Sequence, residues 1–266
     1  MKTPQPATKK NPTKIDVVLL IVFPALAVGL SLWLDVNFLV STLLFFGIPS
    51  FWLSWRQPHQ IPKTLLFSLI FSIPFTLIID YVALRDLSWW MPNSILPWRL
   101  FDLIPLEDFL WGFLYVFCTI SYYEYFIDHE EDQKLDRRVK YFAWVLVLAV
   151  AAFLLVLLTR PDFLQVPYAY FWIGLVAVVI PLITMLGFFP RLLSKYIKAT
   201  VYFFCLTLMY ELTALYLGTW TFPGDNFIGW MSFGGLAMPL EEFIFWCILG
   251  ACAVLSYYEF FGDDRR

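Results

Sequence analysis

Charge is scarce in this chain: Asp, Glu, Lys and Arg make up 15% of its 266 residues, and histidine occurs only as His59 and His129. The net charge of −3 is too small to point to a partner. No basic stripe interleaved with aromatics exists, so nucleic acid is not expected as a partner. The four cysteines (Cys118, Cys205, Cys247, Cys252) form no Cys-x-x-Cys and all fall in apolar runs, which disfavours disulfides and zinc and leaves them as small packing residues. There is no G-x-G-x-x-G, Walker or G-x-S-x-G motif, so nucleotide-dependent and serine-hydrolase chemistry have no support. No lysine lies in the middle of an apolar run, so a retinal-type Schiff base has nowhere to form. No cofactor and no metal are expected.

What remains is apolar. Hydrophobic residues are 61% of the chain and aromatics 20%, more than a soluble domain of this length can hide inside itself. Eight runs are long enough to span a hydrocarbon core roughly 30 Å thick: about 15–34, 37–55, 64–84, 104–126, 140–159, 167–188, 198–218 and 236–260. With the N-terminus in the cytoplasm, only Arg85, Arg99 and Arg160 of the 18 Lys and Arg face outward, an asymmetry that puts both termini inside. The expected fold class is all-α: a multi-pass protein of the cell membrane with eight transmembrane helices, for which membrane lipid is a constant partner. Residues 1–14, with four Lys and three Pro, read as a disordered cytoplasmic tail. A cleavable signal peptide ending near Ala25-Leu26-Ala27 is the rival, disfavoured because apolar sequence continues past it.

A pattern occurs twice. Pro105-Leu106-Glu107-Asp108-Phe109, continuing to Ser121-Tyr122-Tyr123-Glu124, returns as Pro239-Leu240-Glu241-Glu242-Phe243, continuing to Ser256-Tyr257-Tyr258-Glu259, at offsets of 134 (239 − 105) and 135 (256 − 121). Asp80, Ala83, Trp89 and Pro92 likewise match Glu211, Ala214, Trp220 and Pro223, at an offset of 131 (211 − 80). The chain therefore reads as a duplication, 15–127 and 140–266, joined by a charged cytoplasmic linker, 128–139. Each half holds an even number of spans, so the repeat is parallel, with a pseudo-twofold axis along the membrane normal. Two halves so related are expected to build a site between them.

Six carboxylates then converge near the outer leaflet. Asp80 lies about 6 Å from the outer end of its helix and Glu211 about 10 Å, while Glu107, Asp108, Glu241 and Glu242 open theirs. For the four in Pro-Leu-acid-acid, a helix start is a sufficient account, since Pro suits the first turn and acids there meet the positive end of the macrodipole. That account fails for Asp80 and Glu211, at helix C-terminal ends where both dipole and lipid oppose an anion. An intramembrane carboxyl costs at least about 2.5 kcal/mol if ionised, and adjacent carboxyls disfavour joint ionisation. The pattern supplies a proton donor beside a proton acceptor, and Glu→Gln at 107 or 241 is expected to cut turnover.

Most tryptophans read as an interfacial belt, but Trp89 and Trp220 each stand nine residues after an acid (89 − 80, 220 − 211) and are candidate faces for a cation. Tyr122, Tyr123, Tyr257 and Tyr258, with Glu124 and Glu259, read as an inner interfacial belt. The acidic run Asp128 to Asp136 lacks a paired Asp-Asp-x-x-Asp and reads as a solvated loop rather than a magnesium site.

Acid-x-x-Ala, Trp, Pro, then Pro-Leu-Glu-acid followed by aromatics resembles the membrane-integral lycopene cyclase domain of heterodimeric bacterial carotenoid cyclases and of fused archaeal and fungal forms. The likeness covers roughly 66–127 and 198–261 and is weaker elsewhere. It implies cyclisation of the ψ-ends of lycopene to β-ionone rings without net redox change. Glu107, Asp108, Glu241, Glu242, Asp80 and Glu211 would be the catalytic acids, Trp89 and Trp220 the substrate-binding faces, and the partners a lipid-soluble carotenoid and other enzymes of carotenoid biosynthesis. Two positions depart from the family pattern, Asp108 where a second Glu is usual and Glu211 where Asp is usual. A proton-coupled transporter, an intramembrane prenyltransferase and a non-catalytic carotenoid-binding subunit are the alternatives.

Overall fold

The computed structural model describes residues 12–129, 134–263 and 265. Of the expected tail over 1–14 and linker over 128–139, residues 1–11 and 130–133 lie outside the described residues. The described chain forms helices α1 (Lys14–Leu34), α2 (Phe38–Arg56), α3 (Ile61–Arg85), α4 (Leu106–Tyr123, extended by a wide turn over Glu124–Asp128), α5 (Val139–Thr159), α6 (Ala169–Phe188), α7 (Leu192–Leu217) and a broken α8. The last consists of Glu242–Ile248 and Gly250–Gly262, bent by 53°. Two antiparallel hairpins precede the acid-bearing helices: β1 (Arg99–Leu100) with β2 (Ile104–Pro105), and β3 (Trp230–Phe233) with β4 (Leu236–Pro239). They amend the all-α expectation, since the run read as a span from 236 opens as strand.

Local sequence explains the helix irregularities. Pro49 and Pro181 lack an N–H, and each ring would strike the carbonyl four residues back, Phe45 or Ala177. Both helices answer with a wide turn just before the proline, Leu43–Gly47 and Gly174–Val179, where Ile48 N donates to Leu43 O and Ile180 N to Leu175 O. The β3–β4 hairpin turns on Gly234 and Gly235, both at positive φ (56° and 91°), the backbone a two-residue hairpin loop demands.

Six helices, α1, α2, α3, α5, α6 and α7, are long and apolar enough to cross a membrane among the described residues, and α8 adds a seventh if its two parts are one span. Only 11% of the most apolar stretch of α5 is buried, and Trp33 and Leu158 stay 79% and 82% exposed. Surfaces this apolar belong to a membrane protein. α4 and the lower part of α8 pack on each other at the centre. α2 packs on α4 and α6 on α8, α3 lies against α4 and α7 against α8, while α1 crosses to α7 and α5 crosses to α3.

Candidate functional site

Asp80 sits near the end of α3 and Asp108 in the first turn of α4, and the close α3–α4 packing brings their carboxyls within hydrogen-bonding reach of each other. The approach is tight enough that a Cβ on Gly112 would lie 2.5 Å from Thr76 Oγ1. Glu211 near the end of α7 and Glu242 at the start of α8 form the same kind of pair. All four residues are at least nine-tenths buried. Two buried carboxyls in contact share a proton, because joint ionisation without water is too costly.

Both pairs open on one cavity. Its walls also include Trp89, Trp220, Trp111, Trp246, Phe38 and Tyr170. Trp220 donates from Nε1 to Glu211 Oε1 at 2.7 Å, and the Tyr170 hydroxyl lies close to the Glu242 carboxyl on the same cavity wall. The loops carrying the two tryptophans are zipped together: Trp90 and Thr221 exchange two backbone hydrogen bonds of 2.8 Å, and Gly224 N donates to Leu87 O at 2.9 Å. A side chain at 224 would sit 2.7 Å from that carbonyl, so only glycine allows this approach. Asp86 closes the rim, accepting from Ala169 N at 2.9 Å and Asn226 Nδ2 at 2.7 Å.

Glu107 and Glu241, the first acids of each motif, are buried but do not line the cavity. Glu107 accepts from Leu96 N at 2.9 Å and from Ser94 Oγ at 2.7 and 2.8 Å. Glu241 accepts from Ile228 N at 2.6 Å. Each therefore fastens the loop leading into its own hairpin. Of the eight candidates, the structure brings together Asp80, Asp108, Glu211, Glu242, Trp89 and Trp220, and it sets Glu107 and Glu241 apart in matching anchoring positions.

A second cavity shares Ile79, Asp80, Trp111 and Trp246 with the first and continues away from the hairpins between α3, α4, α6 and α8. Phe71, Phe75, Val116, Val254 and Tyr257 line it, so the wall that leads from the carboxyls along the helices is apolar. From Asp80 back to Phe71 is nine residues of helix, about 14 Å.

The opposite end of the bundle holds a buried ionic network. Lys63 Nζ lies 3.0 Å from Glu124 Oε1 and 2.9 Å from Asp263 Oδ1, and Lys195 pairs with Asp128. The second tyrosine of each Ser-Tyr-Tyr-Glu reaches the glutamate of the other copy: Tyr123 donates to Glu259 and Tyr258 to Glu124. Tyr123, Tyr258, Glu124 and Glu259 are thus not an interfacial belt but a buried cross-link. Only the inner tyrosines, Tyr122 and Tyr257, remain partly exposed. Asp128, read as part of a solvated loop, belongs to the same network. Carboxylate oxygens of Glu124, Asp128 and Asp263 lie within 4.8 Å of one another, but the Lys63 ammonium already bridges two of the three, so the cation there is the lysine.

Tyr170, Arg99 and Lys63 were not singled out by sequence. Tyr170 had a signal: it stands eleven residues before Pro181, as Phe38 stands eleven before Pro49 (181 − 170, 49 − 38), and both reach the cavity. Comparison with protein-family models, curated proteins and solved structures gives no match.

Proposed function

We propose that the chain is a membrane-integral lycopene cyclase, closing the ψ-ends of a carotenoid to β-ionone rings by acid catalysis without net redox change. The observation that carries this reading is the aromatic cavity into which each sequence copy sends one carboxyl pair and two tryptophans, Trp89 and Trp111 from the first and Trp220 and Trp246 from the second. A proton passes from a carboxyl to the terminal double bond, a tertiary cation forms, the neighbouring double bond attacks it to close the ring, and a proton is lost to a carboxylate. Electrons and protons balance, so neither nicotinamide nor flavin is needed. Tryptophan faces favour the passing cation, by about 2 kcal/mol or more where water is excluded. The apolar extension of the cavity suits the remaining polyene.

The same proposal includes the finer architecture: eight spans in two parallel four-helix halves in the cell membrane, with both termini cytoplasmic. The mirrored packing supports it, with α2 on α4 and α6 on α8, and α1 crossing to α7 as α5 crosses to α3. The reciprocal Tyr123–Glu259 and Tyr258–Glu124 bonds support it too.

Expression in lycopene-producing cells, followed by chromatography of the pigments, tests the activity. Cyclised product without added cofactor supports it. Unconverted lycopene retained by the purified protein would instead mark a carotenoid-binding subunit. A proton-coupled transporter is favoured by one observation, the buried Lys63–Glu124–Asp263 network at the far end. It predicts proton flux in liposomes and no conversion.

A further inference from the structure

Each carboxyl pair joins two unlike positions. Asp80 and Glu211 stand five and six residues before the ends of α3 and α7 (85 − 80, 217 − 211), inside the helix where no free N–H group is left to favour an anion. Asp108 and Glu242 stand in the first turns of their helices, where free N–H groups favour one. The surroundings repeat the distinction. The charge of Arg99 acts on Asp108, while its guanidinium is held by Met91 O at 2.6 Å and Leu103 O at 3.1 Å and lies 4.5 Å from the Trp90 ring. The Tyr170 hydroxyl, beside Glu242 on the cavity wall, favours a charge on it. Glu107, held charged by Ser94 and Leu96, opposes a charge on Asp108, and Arg99 offsets part of that opposition. The Trp220 N–H on Glu211 also runs the other way, favouring charge there, and it is set against the place inside the helix where Glu211 stands.

Resting on the cyclase reading above, we propose that Asp80 and Glu211 are the proton donors and Asp108 and Glu242 the bases, with Arg99 and Tyr170 positioning residues that hold the negative charge on the bases. The donor O–H bond breaks as a C–H bond forms on the terminal alkene. The ring C–C bond then forms, and a ring C–H bond breaks toward Asp108 or Glu242, leaving the new C=C. The two carbons belong to one six-membered ring, so two carboxyls in mutual contact can straddle them. Donor and base then stand with their protonation reversed, and transfer along the hydrogen bond that already joins them restores the pair. A turnover therefore needs no water in the cavity.

The assignment predicts different failures for the two kinds of acid, read as rate and as the position of the ring double bond. A cation without a donor never forms. A cation without its positioned base loses a proton from whichever carbon is nearest another acceptor, giving rings with the double bond elsewhere. In liposomes loaded with lycopene, Asp80→Asn with Glu211→Gln should slow conversion by about 10²-fold or more, with the residual product unchanged in ring type. Asp108→Asn with Glu242→Gln should shift the residual product toward other ring isomers. Tyr170→Phe removes one oxygen and keeps every carboxyl, so it tests the assignment even if the double variants do not accumulate. It should shift the isomer ratio while slowing conversion less than about tenfold. An isomer shift in the Asp80/Glu211 variant but not in the Asp108/Glu242 variant, or an unchanged ratio in Tyr170→Phe, overturns the assignment while the cyclase reading stands. Wild-type protein that cyclises nothing overturns both.

Discussion

On a helix, neighbouring residues are turned about 100° apart, so the two acids of Pro-Leu-acid-acid cannot face the same way. Asp108 and Glu242 turn into the cavity, and Glu107 and Glu241 turn to the backbone of the preceding loop. This separates two outcomes that the sequence merges. Glu107→Gln and Glu241→Gln keep an oxygen to accept from Leu96 N and Ile228 N but lose the charge, so a stability loss of about 1 kcal/mol with most conversion retained is expected in detergent melts and pigment assays. Replacing the cavity acids should do the reverse, lowering conversion steeply and stability little. Loss of conversion in well-folded Glu107→Gln and Glu241→Gln would return those residues to the chemistry. Spacing made the six acids and both tryptophans legible as candidates. It could not say which acid of each doublet looks inward, because that depends on where α3 and α7 lie around α4 and α8.

At the scale of elements, what the chain hides lies in its breaks. The bounds of α5, Val139–Thr159, fall within a residue of the apolar run at 140–159, because charge ends that run on both sides. The run at 236–260 is apolar from Leu236 to Leu240, ahead of its first acid, so hydropathy could not show that its first residues are a strand. The Gly234-Gly235 pair between apolar quartets was the available signal. The other hairpin gave none, since its turn holds Phe101 and Asp102, not glycine, at positive φ. Wide turns also set side-chain positions. Gly174 opens the wide turn of α6 against the first part of α8, Glu242–Ile248, and a Cβ there would lie 1.9 Å from Phe245 Cδ2. Gly174→Ala should cost about 1–3 kcal/mol by overpacking, seen as a lowered melting temperature. It should also displace Trp246 from the cavity wall next door. Phe245→Leu added to Gly174→Ala should recover part of the loss; if the single variant melts like wild type, the two helices are not in contact as described.

For the whole molecule, the decisive contacts join distant parts of the chain at both ends of the bundle. Near the hairpins, Trp90 exchanges hydrogen bonds with Thr221, and at the opposite end Lys63 binds Asp263, Tyr123 binds Glu259 and Lys195 binds Asp128. α1 rests on α7 as well as on its own α2, and α5 rests on α3, so each sequence copy also covers helices of the other. Removing one partner of a buried ion pair strands the other, a loss of about 3–5 kcal/mol. Lys63→Met, which takes the ammonium from both Glu124 and Asp263, should therefore melt well below wild type, and Lys63→Met with Asp263→Asn should be less damaging than the two single losses added. The same exchange of helices predicts how the chain behaves when divided. Cut within residues 130–133, each part alone leaves apolar faces of α3, α4, α7 and α8 without the helices that cover them. Neither part should then purify as a monodisperse species, whereas the two co-expressed should co-purify as one complex with the cavity restored, because no covalent link across the cut is needed for the pairs that hold it. Two parts that are each stable alone and ignore one another would show that the contacts between the copies are incidental, and would remove the basis for a site shared between them.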